Sequence, residues 1–350
     1  MKFKKIAAMV LTASVMAGLM AGCGASAGSV VARAGSEAVT YDLVYFMSRY
    51  EQASMDDLYR SYFGESVWDE DLYGSGSTME EETKNDVMDY LHELYTLADE
   101  DHMAEYGVAL TEEEEAAIKE AASAFISANS KEALKEMGAS QELAEKMLRL
   151  FTIKSDMHAA IIAGADTEVS DEEANMRGYT YIRQGIDSYY DSSSASYVAY
   201  TEDEIAEMQA AMESFALYLA TGADLEEAAE QYDYTTHYGT YDADDTSLDA
   251  DVRAALETME VGDVSSLIVT DSYLYIVRLD TECDEEATEE NRADIIEERQ
   301  ETLYDDTLAA WQEGDGWSVS QKYLDKISFK NTFTQETEEA ETESVEDTEQ

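Results

Sequence analysis

The sequence predicts an α+β protein in which a small antiparallel sheet is inserted into a mostly helical chain. Two short runs, 179–184 and 273–279, are rich in the aromatic and β-branched residues that favour strands. On both sides of these runs, apolar residues recur at steps of three and four, the period of a helix with one buried face. Patterns of the form Ser/Thr-x-x-Glu precede several of these stretches and indicate where helices begin. The strands are therefore expected in the middle of the chain, between two helical parts.

The first residues have the pattern of an export signal. Lysines precede an apolar stretch at 6–19, which is too short for a comfortable membrane span. The stretch ends in Leu19-Met-Ala-Gly-Cys23, which resembles a bacterial lipobox. This resemblance implies cleavage before Cys23, a lipid on the Cys23 thiol and a lipid-anchored place on the extracytoplasmic face of the cell membrane; the alternative is an ordinary secretory signal with a chance cysteine. Residues 1–22 are therefore excluded from the fold, and the small residues at 23–29 are predicted to be a flexible tether.

Residues 30–177 are predicted to form a mainly helical domain. They open with two short strands around a turn at Gly35, followed by a helix from Tyr41. This opening resembles that of exported foldases of the SurA/PrsA type, which implies a chaperone-like domain. The next segment, 51–79, stays unassigned because Gly and Ser interrupt its pattern. That segment contains the aromatic residues Tyr59, Tyr62, Phe63, Trp68 and Tyr73.

The rest of this domain and the end of the chain also have helical patterns. Thr111 and Ser140 are predicted to cap two helices, and a long helix is predicted at 288–311. In the foldases that the chain resembles, the C-terminal piece packs back on the N-terminal helices. We therefore expect 287–330 to complete the domain. Residues 331–350 are rich in Glu, Thr and Ser and are predicted to be a disordered acidic tail.

Residues 178–282 are predicted to form the inserted domain. The expected order is a strand at 179–184, a helix from Thr201, short helices near 225–232 and 252–259 separated by a polar, Asp-rich loop, and a last strand at 273–279. Two segments, Met259-Glu-Val-Gly-Asp-Val-Ser265 and Ser272-Tyr-Leu-Tyr-Ile-Val-Arg-Leu279, resemble the final section of a parvulin-type peptidyl-prolyl isomerase domain. The resemblance extends over 178–282. It implies an antiparallel sheet flanked by helices and peptidyl-prolyl cis–trans isomerase (rotamase) activity.

The resemblance also indicates where a catalytic site would lie. Parvulins have two histidines on adjacent central strands, with an Asp or Cys nearby. In this sequence the histidine positions fall on Tyr181 and Tyr275, and the Asp/Cys position falls near Thr236 or His237. Tyrosine donates a hydrogen bond as histidine does, but its pKa of about 10 keeps it neutral. The catalytic candidates are therefore Tyr181, Tyr275 and His237; the alternative is that the two tyrosines are ordinary strand residues of a domain kept for binding.

The predicted substrate pocket stays apolar although its residue types differ from those of the family. The Met and Phe that line the parvulin pocket fall on Leu248 and Val252, and Met259 is a third apolar residue of the same region. Isomerisation requires an apolar pocket for the proline ring and groups that stabilise a twisted amide, without a nucleophile, a metal or a cofactor. We therefore expect the domain to bind extended apolar segments and to be a weak isomerase.

The charge, cysteine and histidine content of the chain limits the kinds of ligand that it is expected to bind. The chain has 22 Lys and Arg residues against 79 Asp and Glu residues, a formal net charge of −57, which argues against nucleic acid and against anionic lipid head groups as ligands. Only Cys23 and Cys283 are cysteines, so no intramolecular disulfide is expected once Cys23 carries a lipid. The four histidines are scattered and no Cys-x-x-Cys pair occurs, so no metal site is predicted.

Two functions remain open at this stage. The first is a membrane-anchored extracytoplasmic foldase that assists exported proteins and has weak parvulin-type isomerase activity. The second is a non-catalytic chaperone or scaffold lipoprotein whose parvulin-like domain only binds unfolded chains. A solute-binding lipoprotein is disfavoured because residues 80–165 contain only helical patterns, whereas such proteins need two α/β lobes. The expected partners are unfolded exported proteins and, through Cys23, the lipid bilayer; the oligomeric state stays open.

Overall fold

The computed structural model describes residues 11–14 and 28–335, except Ser36 and Asp244. The predicted lipidation residue Cys23 lies outside the described residues. The first elements are β1 (Leu11–Ser14), β2 (Val30–Ala34), β3 (Glu37–Thr40), α1 (Tyr41–Phe63), α2 (Met79–Leu97), α3 (Glu100–Glu105), α4 (Glu112–Ala128), α5 (Lys131–Met137) and α6 (Gln141–Ile162). The central elements are α7 (Asp171–Ala174), β4 (Arg177–Gly185), β5 (Ser188–Asp191), β6 (Ser196–Ala199), α8 (Glu202–Leu219), α9 (Leu225–Gln231), β7 (Thr236–Tyr241), α10 (Ala250–Leu256), β8 (Ile268–Val269) and β9 (Tyr273–Thr281). The last are α11 (Glu285–Gln312), α12 (Gln321–Leu324) and β10 (Thr332–Gln335).

The α+β fold class is confirmed, and the chain divides into two compact units. Unit 1 comprises residues 1–165 and 301–350, and unit 2 comprises residues 166–300. Helices dominate the described part of unit 1, whereas unit 2 contains a four-stranded antiparallel sheet in the order β7-β4-β9-β8. Among the described residues, no helix combines the length and apolarity that a membrane crossing needs.

The core of unit 1 forms around α1. Leu43 and Phe46 of α1 are fully buried with Leu91 of α2, because the apolar positions of both helices repeat with the helical period. The end of the chain closes the same core: Phe329 and Phe333 are also fully buried. Unit 1 therefore has a core built from both ends of its sequence.

One boundary of the predicted tail is wrong. The sequence predicted disorder from residue 331 and excluded residues 1–22 from the fold, but Thr332–Gln335 is a strand, β10, that pairs antiparallel with β1, which lies in that excluded segment. The physical reason is Phe333, whose ring is buried against the guanidinium of Arg49 at 4.8 Å and whose amide donates to Asp56. A single apolar residue in a polar stretch carries no compositional signal. The remaining tail residues, 336–350, lie outside the described residues.

The sheet of unit 2 has a different apolar layer on each face because side chains alternate along a strand. One face, with Ile182 and Ile276, packs on α8 and α9. The opposite face, with Tyr179, Val277 and Leu279, packs on α10. The helix predicted from about Thr201 is α8, and Thr201 caps it with the reciprocal hydrogen bonds of a capping box.

Two strand pairs of unit 2 were not predicted. The polar stretch assigned to a loop contains β7, which pairs with β4 along its length. The chain between β4 and α8 forms a separate two-stranded hairpin, β5 and β6. Both are polar or aromatic segments without a one-sided apolar pattern, so alternation could not reveal them. The first of these corrections matters for the candidate site, since β7 carries His237.

Candidate functional site in unit 2

Strand register places the three predicted catalytic residues on one face of the sheet. Tyr181 in β4 lies opposite His237 in β7, and on its other side opposite Val277 in β9. Tyr275 lies opposite Arg183, two residues further along β4. Because residues two apart share a face, Tyr181, Tyr275 and His237 point to the same side.

The three rings are close to one another. The ring centroid of Tyr181 lies 5.2 Å from that of His237 and 6.3 Å from that of Tyr275. Tyr181 also stacks on Tyr179 at 5.5 Å. Tyr181 and Tyr275 are half-buried and His237 is exposed, so one side of this group is open to solvent. We call Tyr181, Tyr275 and His237 the aromatic face.

The predicted pocket residues lie beside the aromatic face. Val252 in α10 is fully buried, and Leu248 and Met259 are half-buried in the same apolar cluster as Tyr181 and Tyr275. The structure thus brings all five into one cluster. Half-buried apolar groups next to accessible rings provide the surface that a short apolar peptide segment can cover.

A local turn positions Leu248. The carboxylate of Asp245 accepts hydrogen bonds from the backbone N–H and the hydroxyl of Ser247 and from the N–H of Leu248. Asp249 then caps α10 by accepting from the N–H of Asp251. These bonds fix the chain just before the helix that carries Val252 and account for the Asp-rich composition of this segment.

Close packing under the face explains a glycine in β7. A Cβ atom added to Gly239 would lie 3.0 Å from the ring of Tyr179, which stands opposite it in β4. The Tyr179 ring also contacts Tyr241 edge-on at 5.7 Å, and the Tyr241 hydroxyl pairs with Arg177 at 2.7 Å. A side chain at position 239 would displace this layer, on which Tyr181 rests.

The hydroxyl groups of Tyr179 and Tyr275 stay protonated at neutral pH. Burial raises the pKa of Tyr179 to about 12. Burial also raises the pKa of Tyr275, and a hydrogen bond from Arg183 opposes part of that rise. At neutral pH the site therefore presents neutral O–H donors, and it has no activated nucleophile. Among the described residues, no three His, Cys, Asp or Glu side chains are grouped as metal ligands.

Two features of the site were missed by sequence reasoning. Arg183 lies opposite Tyr275 in the strand register, and its guanidinium lies 4.8 Å from the ring centroid of Tyr273, so it contacts the aromatic side chains of the last strand. The hairpin β5–β6 exposes tyrosines at its surface, among them Tyr190 and Tyr197, which contact each other edge-on at 5.5 Å. The sequence signal for the hairpin was the turn at Asp191, where Ser193 and Ser194 bond the carboxylate.

Comparisons with known proteins found similar folds among solved structures. No family model matches the chain, and no curated protein does. Solved structures that it resembles include the foldase PrsA of Streptococcus pneumoniae, at 17% identity over 73% of this chain and 97% of that one, with a TM-score of 0.28. A PrsA foldase of Lactococcus lactis matches at 11% identity over 84% of this chain and 96% of that one, with a TM-score of 0.32. A SurA-like chaperone of Campylobacter jejuni matches at 12% identity over 83% of this chain and 98% of that one, with a TM-score of 0.29. At identities of 17% or less, these likenesses concern the fold.

Proposed function

We propose that this protein is an extracytoplasmic foldase, anchored through Cys23, whose unit 2 holds extended apolar segments of exported proteins and isomerises X–Pro bonds weakly. The observation that carries the proposal is the aromatic face: Tyr181 within 5.2 Å of His237 and 6.3 Å of Tyr275, beside the apolar Val252 cluster. The two-unit organisation fits a chaperone part completed by the end of the chain and an inserted sheet domain.

Binding would be driven by burial of apolar surface between the aromatic face and the peptide segment. Rings that are half-covered by their own domain lose their remaining water when an apolar segment lies on them, and each buried CH2 contributes about 0.8 kcal/mol. Proline and aromatic side chains suit such a surface, since flat rings stack with little loss of rotamer freedom. The aromatic face is small, so its selectivity among unfolded chains should be low. Low selectivity suits a foldase that assists many different proteins.

Catalysis would consist of stabilising a twisted amide. The rotation barrier is about 18–20 kcal/mol because the planar amide is resonance-stabilised. When the amide twists, its nitrogen becomes a better hydrogen-bond acceptor, and a tyrosine O–H on the aromatic face can donate to it. Arg183 would act as a positioning residue by donating to the Tyr275 oxygen and fixing the direction of its proton.

The rate should be lower than that of a domain with two histidines. Removing a positioned acid, base or hydrogen-bonding group typically costs a factor of about 10²–10⁴. Two tyrosines replace only the hydrogen-bonding part of that contribution, and burial raises the pKa of one of them, Tyr275, above its ordinary value.

The test is catalysed cis–trans relaxation of a proline-containing peptide by the full chain. We expect slow but measurable acceleration that falls at least several-fold in Tyr181→Phe/Tyr275→Phe, because the hydroxyls are lost while the rings stay. Tyr62→Phe removes an exposed hydroxyl in unit 1 and serves as the matched control. Equal rates in the double variant and in the wild type would contradict the assigned roles.

A second candidate function is binding without catalysis. It is favoured by the tyrosines at 181 and 275, the two positions that parvulins fill with histidine, because losing a positioned acid/base group lowers the rate while the apolar surface for binding stays. In this case the full chain suppresses aggregation of an unfolded protein, and the relaxation rate of the proline peptide equals the uncatalysed rate. Absence of both activities would contradict both candidates.

A further inference from the structure

Unit 1 contains a cleft that the proposed function leaves unused. It has a volume of about 310 Å³ and lies between α1, α2 and the chain that joins them. Glu51 and Tyr59 face it from α1, and Asp86 and Tyr90 face it from α2; Tyr73 comes from the connecting chain. The spacing of eight residues on α1 and four on α2 puts each pair on one helix face. The aromatic-rich segment that the sequence left unassigned therefore forms a wall of this cleft.

The cleft combines aromatic rings with uncompensated negative charge. Its described lining includes the carboxylates Glu51, Glu82 and Asp86 and no lysine, arginine or histidine. Glu82 accepts a hydrogen bond from Ser75. No ion pair within the described residues involves Glu51 or Asp86.

The two unpaired carboxylates disfavour each other. The pKa of Glu51 is raised because protein displaces water from it and because Asp86 faces it. The pKa of Asp86 is raised by the same displacement of water and by the charges of Asp89 and Glu82. Both shifts have the sign that a nearby cation would reverse.

The rings complete a cation site. The faces of tyrosine rings attract an ammonium or guanidinium group within about 6 Å of the centroid. Tyr90 already has such a neighbour: the Lys154 ammonium lies 4.6 Å from its ring centroid, although that lysine is paired with Glu93 at 2.7 Å and does not line the cleft. Tyr73 is 72% exposed, so its ring is free of the core and can close on a ligand.

We propose that this cleft binds a lysine or arginine side chain of an extended polypeptide. The apolar stem of the side chain would lie along Tyr59 and Met55, and its charged end would reach Glu51 and Asp86. A cavity of about 310 Å³ is large enough for one such side chain and too small for a folded partner. The inference rests on the proposed function, because an unfolded exported protein is the source of the extended chain.

The charge complementarity favours this occupant over an apolar one. An apolar segment would bury Glu51 and Asp86 without a partner, which is costly for ionised groups. An anionic or neutral partner would meet three carboxylates. A cationic side chain on an apolar stem matches both the rings and the charges.

The experiment uses the full chain and a short, proline-free fluorescent peptide with one central lysine. Binding is measured by fluorescence anisotropy at about 0.15 M salt, where long-range attraction to an acidic protein is screened. The comparison peptide carries acetyl-lysine at the same position. We expect the lysine peptide to bind at least about tenfold more tightly, consistent with a charge-assisted and cation–π contact of the usual strength.

Variants distinguish binding in the cleft from non-specific attraction of the peptide to an acidic protein. Glu51→Gln/Asp86→Asn should weaken the lysine peptide about tenfold, whereas the matched control Glu113→Gln/Glu120→Gln removes two exposed carboxylates of α4 and should change nothing. Tyr73→Ala should weaken binding without affecting the thermal melt, since its ring is mostly exposed. Equal weakening by the two double variants would overturn the proposal and leave only non-specific attraction.

Two further binding measurements identify which ligand the cleft takes. If butylammonium competes at the same concentration as the peptide, the site takes a free small cation and the polypeptide assignment is wrong. Tyr181→Ala/Tyr275→Ala should leave lysine-peptide binding unchanged while it weakens binding of a lysine-free proline peptide. If the wild type binds the lysine peptide but does not bind the lysine-free proline peptide, the result counts against the proposed function and leaves the cleft proposal standing.

Discussion

Arg49 offers the sharpest test of how unit 1 is held together. Its side chain is fully buried in α1, yet its guanidinium donates to the backbone carbonyls of Ser328 at 2.9 Å and Asn331 at 2.8 Å. It also pairs with Glu136 at 3.2 Å. The guanidinium therefore connects α1 to the segment that carries Ser328 and Asn331. Burial lowers its pKa below the ordinary arginine value, and the surrounding carboxylates oppose that shift.

The perturbation is Arg49→Met, which keeps most of the volume and removes the charge. The Ser328 carbonyl then loses the guanidinium as its donor, whereas the Asn331 carbonyl still accepts from Gln52 and the Glu136 carboxylate still accepts from Asn331. Removing one partner of a buried ionic network costs about 3–5 kcal/mol. Glu136 keeps 27% of its side-chain surface exposed and can regain water, so we expect the lower end, about 3 kcal/mol. For a unit of this size, that corresponds to a fall in melting temperature of roughly 6–12 °C.

The assay is urea unfolding followed by tryptophan fluorescence. Trp68 packs edge-on against Phe329 with centroids 5.1 Å apart, so its emission should respond when the last segment detaches. Arg33→Met is the matched control, because Arg33 is exposed on β2. If Arg49→Met and Arg33→Met changed the free energy of unfolding by the same small amount, the buried guanidinium would not be holding the segment, and the reasoning would be refuted.

Three other predictions follow from separate features. Cys23→Ala should release the protein into the medium or leave it unprocessed, and cell fractionation with mass spectrometry checks this; unchanged membrane retention and mass would count against the anchor. Deleting 313–350 should lower the melting temperature of unit 1, since it removes buried Phe329 and Phe333, and a melt identical to that of the full chain would contradict the interlaced domain. The bidentate pair of Arg278 with Glu226, at 2.6 and 2.8 Å, holds the pKa of Glu226 below its ordinary value, so its stabilisation is present above about pH 4.5 and is lost as the pH falls through the folded-state pKa. Urea midpoints between acid and neutral pH should therefore fall less steeply in Glu226→Gln than in the wild type, and identical slopes would contradict this assignment.

Local chemistry explains which parts of the fold the sequence could predict. The starts of α4 and α6 were predicted because Thr111 and Ser140 cap them through bonds to residues three positions ahead, and α8 was predicted from the spacing of its apolar residues. β9 was predicted because its apolar residues face buried layers on both sides. These signals depend only on neighbours in sequence or on strong burial.

Elements that depend on distant partners were missed for the same physical reason. β7 has polar or exposed residues along most of its length, and only its pairing with β4 makes it a strand. Arg49 looks like a surface arginine on an amphipathic helix, because its partners lie nearly three hundred residues away. Composition cannot report such a partner.

The candidate site was predicted in part. Tyr181, Tyr275 and Val252 came from alignment with a known motif, and the structure places them in one cluster. Arg183 was missed, since its role depends on lying opposite Tyr275 in the register. The cleft in unit 1 was missed because its aromatic residues come from a helix end and a loop, which have no period in common.

The central claim is that the aromatic face of unit 2 binds unfolded chains, and photo-crosslinking tests it most directly. A benzophenone amino acid replaces the exposed His237 in one sample and the exposed Tyr62 of unit 1 in a control sample. Each full chain is irradiated with a permanently unfolded, proline-containing polypeptide that contains no lysine or arginine, so that the cleft of unit 1 does not contribute. We predict strong crosslinking from position 237 that excess unlabelled peptide suppresses, and weak crosslinking from position 62. Equal, non-competable labelling from the two positions would contradict the claim.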